Sequence, residues 1–441
     1  MGKDASQAHL SVMAVAQGAS LVVDRFKAAC DDKAALWISI ARIWTIIAAI
    51  GVLYSPTVAS VALITTYVAF VASGQAVVRL RKVFQRPAGY WGLIFLGIVL
   101  LGMTYASVPW ADRWIDFYKW RTILWFVVVL SIFDEERWKI RLMVAFILIV
   151  AVGLIASYVT ATGWITLWRN PDNFLRNSVT QSIGFAVAAV VCLWLIMENT
   201  FQGKTRWTAM LLGPLFVANI VFITNGRSGY VILGIGVGVL LLWNARPLQR
   251  LMVIIGLSLA SVLAVTLSPR VNQNIAIGVD QWTHEPESTT LTDMGSRRVF
   301  YVNTLEILQD HWLLGVGTGG FRQAYTDQVN TKYDPTDWRT VATGDPHNQY
   351  LAVLAQHGIG GLAAFLAWIV AIARDKAGLP AYRKLALAIL CGWCVTSLLS
   401  SHFRTFAEGH LLMTFLGALL AVVPRQDRAE VVGDSSAQPS S

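Results

Sequence analysis

The chain has 441 residues, 55% of them hydrophobic and only 14% charged, with a mean hydropathy of +0.55. A soluble domain carries about 25% charged residues, so a soluble globular fold is excluded. The net charge of +9 then reads as the Lys and Arg bias of loops inside a membrane, not as a nucleic-acid footprint.

Apolar runs of roughly 20 residues, each long enough to cross a bilayer as a helix, recur along the chain. Taken in order, they predict twelve spans at approximately 35–53, 56–74, 90–107, 119–133, 140–159, 179–198, 207–224, 228–245, 250–268, 347–371, 382–400 and 407–424. Residues 1–34 precede them as a cytoplasmic segment, and 425–441, ending in GDSSAQPSS, has the composition of a disordered cytoplasmic tail. Breaks between spans carry turn residues such as Ser55-Pro56, Asn225-Gly226 and Gly378-Leu379-Pro380. An even number of spans puts both termini on one side. With that side inside, the inner segments hold about 21 Lys and Arg against about 13 outside, although the longest loop is an outer one.

That loop runs from 269 to 346 and is too long for an idle connection. Within it, SRRVFYVNTLEILQDHW spaces Phe300, Leu305, Leu308 and Trp312 as the apolar stripe of an amphipathic helix lying on the membrane. LLGVGTGGF follows as a tight turn; without a strand–helix context it carries no nucleotide-binding signature.

Among the arginines on the outer side, where topology disfavours positive charge, four stand out. Arg227 lies in the short hairpin TNGRSGY, Arg297 and Arg298 open the amphipathic helix, and Arg404 lies in SSHFRTF. Their guanidinium forks match phosphate oxygens, so the set predicts an anionic lipid substrate. His347 starts the tenth span in GDPHNQYLAVLAQHGIGGL. A neutral imidazole at a helix end can take a proton. Asp345 and Asn348 beside it either orient the ring or cap the helix.

Other chemistries find no support. His284, His311, His357 and His402 form neither HxxxH nor HExxH, so no metal and no cofactor is expected. Glu285-Pro286-Glu287 and Asp334 with Asp337 are weak substitutes for an Asp-x-Asp pair. Cys391-Gly-Trp-Cys394 lies inside an apolar run, where a redox thiol is out of place. The N-terminal Met1-Gly2-Lys3-Asp4-Ala5-Ser6 fits a loose myristoylation pattern and nothing else does. A transporter would place its polar groups at mid-membrane, whereas here they gather at the outer ends.

His347-Asn348, nine residues, Gly358, two residues, Gly361 resembles the signature of the O-antigen ligase and O-antigen polymerase superfamily, which includes O-linked oligosaccharyltransferases. GSRRVFYVNTLEILQDHWLLGVGTGGF is similar to a second block of that family, and TNGRSGY to a third; Trp312 departs from it, standing where a proline is common. The resemblance spans Thr224 to Leu362 and implies an all-α polytopic membrane protein, GT-C-like, with about twelve transmembrane helices and one large, partly helical periplasmic loop. It implies a ligase of the Gram-negative inner membrane, with a polymerase or protein glycosyltransferase as alternatives. The donor would be an undecaprenyl-pyrophosphate-linked glycan and the acceptor lipid A–core, with membrane lipid around both. His347 is then the catalytic base, and Arg227 and Arg297 hold pyrophosphate. Arg298 and Arg404 join them by position, and Gly358 and Gly361 serve close helix packing.

Overall fold

The computed structural model describes residues 32–163, 170–171, 173–198, 203–283 and 293–424. The myristoylation pattern, His284, Glu285–Glu287 and the 425–441 tail lie outside them. Every regular element among the described residues is a helix. In chain order they are α1 (Asp32–Tyr54), α2 (Pro56–Ala72), α3 (Ala76–Phe84), α4 (Pro87–Tyr105), α5 (Trp110–Lys119), α6 (Arg121–Ile132), α7 (Glu136–Ala161), α8 (Ser178–Met197) and α9 (Lys204–Phe222). There follow α10 (Arg227–Leu242), α11 (Pro247–Leu267), α12 (Pro269–Thr283), α13 (Asp293–His311), α14 (Phe321–Lys332), α15 (Gln349–Arg374), α16 (Pro380–Thr396) and α17 (Phe406–Leu420).

The protein is a helical membrane protein. Among the described residues seven helices (α1, α4, α7, α8, α9, α11 and α15) are long and apolar enough to cross a bilayer, or eight if α2 and α3, bent by 103°, count as one broken span. Helices stand at all twelve expected places, but α6, α10, α16 and α17 have 12, 16, 17 and 15 residues. At about 1.5 Å per residue they reach about 18–26 Å, short of the ~30 Å hydrocarbon layer. Length alone therefore does not deliver twelve spans. The fourth expected span divides at Trp120, with the amphipathic α5 set off from the buried α6.

The bundle is sorted by side-chain size. α10 fits between α8 and α16, α15 lies along α4, and α17 along α6. Small residues allow the close approaches: a β-carbon at Gly392 would meet the Ile232 backbone, and one at Gly236 the Val190 side chain. By contrast, α11 buries none of its residues, as suits a helix facing lipid.

The described residues of the 269–346 segment are largely helical and pack on the bundle. α13 contacts α12, α14 and α15, and Ile307 and Leu308 join Phe321, Tyr325, Val329 and Ala355 in a small second core. The expected apolar stripe is thus only partly the buried one. Leu308 is buried with Val299 and Ile307, whereas Leu305 and Trp312 are 53% and 56% exposed. A helix packed on several partners turns a different face inward from one lying on a membrane.

Candidate functional site

α8, α10, α15 and α17 all begin at one end of the bundle. Thr180, in the first turn of α8, donates to Glu408 Oε1 at the start of α17 (2.8 Å). Ser228 Oγ, in the first turn of α10, lies 3.2 Å from His402 Nε2 in the loop before α17. Gln349 opens α15, donating its N–H to Ser397 O (2.9 Å) and accepting from Phe403 N–H (3.1 Å). The aligned peptide dipoles make such a meeting of helix starts favourable to anions.

His347 sits at this end with φ 57°, the one non-glycine residue of positive φ among the described residues. Histidine tolerates the left-handed region better than most side chains, but something must hold it there. Asp345 Oδ1 accepts the His347 N–H (2.9 Å), and the Tyr301 hydroxyl donates to His347 O (3.2 Å) and to Leu398 O (2.6 Å). The imidazole stacks on Phe300, centroids 5.7 Å apart and planes 21° apart, and the residue is half-buried. Asn348 is the helix cap: its Oδ1 accepts from Tyr350 and Leu351 N–H (3.0 and 3.1 Å). The two roles left open for its neighbours are therefore divided, with Asn348 closing the helix and Asp345 holding the histidine.

Arg297, Phe300 and Tyr301 share one face of α13, being three and four residues apart. Arg297 Nη1 lies 3.5 Å from Met294 Sδ. Met294 also borders a cleft of about 460 Å³ with Arg227, Tyr230, Asn274 and Trp282. Arg298 Nη1 donates to Trp282 O at 3.4 Å. Burial pushes His402 below the ordinary histidine range; Glu408 and Asp345 oppose that fall, while Arg297 and His347 add to it. Arg227, Arg297 and His347 are thereby gathered around one region.

Arg404 is placed differently. It is 4% exposed, with Nη1 at 3.3 and 3.4 Å from the two Asp116 carboxylate oxygens. Its Nη2 lies 3.3 Å from Asp345 Oδ2 and 3.4 Å from Gly344 O. Burial works against the charge of Arg404, but Asp345 and Asp116 raise its proton affinity above the usual value. Burial alone would raise the Asp116 carboxyl; Arg404 and Lys119 hold it below the usual carboxylate range. Its fork is occupied by carboxylates, a different duty from the phosphate contact expected of it.

Gly358 also has a different task. α15 is broken there, at φ 63° and ψ −169°, and the glycine-rich turn docks into the break. Val316 and Gly317 N–H donate to Ala355 O and Gln356 O (2.8 and 2.9 Å), and Ile359 N–H to Trp312 O (2.9 Å). Gly315, Gly317 and Gly319 all have positive φ, and a β-carbon at Gly358 would strike the Leu313 carbonyl. At Gly361 the crowding comes from its own helix: a β-carbon would strike His357 Cβ, four residues back across the same break, while Ile98 of α4 stands at an ordinary 3.7 Å.

Asp116, Ser228, Ser401 and Glu408 belong to this neighbourhood and were not singled out from the sequence. Asp116 alone left a signal, a carboxylate in the amphipathic run WADRWIDFYK. Among the described residues no three His, Cys, Asp or Glu side chains are placed to share a metal ion.

Fold and site together define a helical membrane protein with a histidine and arginines gathered where several helices begin. Residues 215–366 match the family model described as O-antigen ligase, roughly a third of the chain and the whole of the stretch carrying the three motifs. Over residues 215–366 the chain is therefore similar to the O-antigen ligase and polymerase superfamily, a family of glycosyltransferase-like enzymes with lipid-linked glycans and lipids as partners in general. No curated protein matches it.

Proposed function

We propose that the protein is an O-antigen ligase, an inverting, metal-independent glycosyltransferase moving O-antigen polysaccharide from undecaprenyl pyrophosphate to a sugar hydroxyl of lipid A–core. In this reading twelve helical segments form the membrane domain of a Gram-negative inner-membrane protein with both termini cytoplasmic and the site facing the periplasm. The observation that carries it is the half-buried His347, held at a helix start beside the α13 face that bears Arg297.

The chemistry needs two things. A base must take the proton of the acceptor hydroxyl, and the charge growing on the leaving pyrophosphate must be neutralised. A His347 ring nitrogen accepts the proton as the hydroxyl oxygen attacks the anomeric carbon. The bond from that carbon to pyrophosphate breaks on the opposite face, its electron pair leaving with the phosphate oxygen, so the configuration inverts. Arg227 and Arg297 face the leaving group, with Arg298 at the rim of the same cleft. Fixed guanidinium charge does this without a divalent cation, so transfer should persist in EDTA; loss of turnover on chelation would remove that part of the reading.

The test is transfer by the purified chain from a lipid-pyrophosphate glycan to lipid A–core. His347→Ala should abolish transfer in a folded protein, and substantial residual transfer would overturn the base assignment. Because the family match also covers polymerases, product analysis decides between them. One addition to lipid A–core marks a ligase, and lengthening of the lipid-linked glycan marks a polymerase.

A further inference from the structure

Resting on that reading of His347, we infer that Arg404 is a positioning residue: with Asp116 as its anchor, it fixes Asp345 and so the backbone turn that presents the base. The ladder is continuous in the structure. Lys119 Nζ meets Asp116 Oδ1 (2.6 Å), Asp116 meets Arg404 Nη1 (3.3 Å), and Arg404 Nη2 meets Asp345 Oδ2 (3.3 Å). Asp345 Oδ1 then accepts both the His347 N–H (2.9 Å) and the Ser401 hydroxyl (2.7 Å). Each carboxylate oxygen of Asp345 is thus engaged, which leaves the side chain one orientation.

The placement argues against a direct hold on pyrophosphate. The Arg404 side chain is 3% exposed and lies between two carboxylates, so an incoming phosphate anion would have to displace one of them and meet the other's charge. The placement also supplies a reason for the ladder. His347 has the left-handed backbone that an unsupported residue leaves readily, and its N–H has a single acceptor, Asp345. Without Arg404 the Asp345 carboxylate can rotate, the N–H loses that acceptor, and the ring is no longer fixed against Phe300.

The experiment is steady-state transfer by the full-length chain in detergent, using a lipid-pyrophosphate glycan as donor, for Arg404→Lys and Asp116→Asn. Both should lower kcat about 10- to 100-fold, the scale of a misplaced catalytic group, while leaving donor KM within about twofold. Arg297→Ala, run alongside, should raise donor KM instead. A raised donor KM with kcat retained in Arg404→Lys would make Arg404 a ligand and overturn the inference. Asp116→Asn changes no volume and keeps the inference testable if the buried Arg404 cannot be replaced; wild-type kcat in that variant would equally overturn it. His347→Ala separates the two levels. Transfer retained there removes the base itself, whereas transfer lost there but intact in both ladder variants removes only the ladder.

Discussion

The two ends of the bundle spend their charge differently. At the end away from His347, buried and half-buried cations staple helices together. Arg42 reaches Asp134 and Glu135 at 2.5 Å each, Arg79 shares Asp134 at 2.7 Å, and Arg86 holds Asp375 at 2.8 Å. Lys139 caps the end of α17 through Leu419 O and Ala421 O (3.2 and 2.6 Å). At the other end Arg404 is held in the same manner, but its ladder terminates on the backbone N–H of the half-buried His347, in the left-handed region. Charge that only joins helices needs saturation; charge that serves a reaction must end on a group the substrate can reach.

That contrast can be broken from either side. The largest effect is expected from His347→Ala: transfer should fall about 10²–10⁴-fold, the share a positioned base contributes, with the unfolding temperature unchanged. Arg86→Met should do the reverse. It leaves the Asp375 carboxylate, 4% exposed, without its partner, and should cost about 3 kcal/mol of stability. Thermal unfolding would show that loss while kcat per folded molecule stays at the wild-type value. A catalytic loss in the folded Arg86 variant would erase the distinction between the ends.

Smaller effects sharpen the site end. Arg227→Ala and Arg297→Ala should each raise donor KM about tenfold or more, since a hydrogen bond to a charged group contributes about 1.5–3 kcal/mol. Lys at either position should rescue poorly if the contact is a two-pronged fork. Unchanged donor KM in both would sink the pyrophosphate assignment. The smallest effect concerns pH. His402 has its folded-state proton affinity depressed, mainly by burial, so below the ordinary histidine value of 6.5 the unfolded chain binds more protons. The stability contributed by neutral His402 is therefore present above that value and is lost as pH falls below it. Replacing His402 by Asn should flatten unfolding temperature against pH between about 7 and 5; an unaltered slope would show that His402 does not carry it.

The sequence by itself determined what repeats or what has one physical meaning. Runs of apolar residues predicted helices, and helices stand wherever those runs were read, seven or eight of them among the described residues long and apolar enough to cross a bilayer. LLGVGTGGF could only be a turn, because glycines at 315, 317 and 319 allow positive φ where other residues resist it. The spacing from His347 to Gly361 pointed to the family whose model covers 215–366. Tertiary structure alone decided which charges meet. Arg404 and Arg297 are the same side chain on the same side of the membrane domain by sequence. The difference between them is Asp116, 288 positions away, brought against Arg404 by the packing of α5. It likewise decided that Gly358 opens α15 to receive the turn, and that Leu305 faces outward while Asn303 is buried. Periodicity reports how a helix is built along its own axis; the partner across from each face is set by contacts far away in the chain, which no local pattern records.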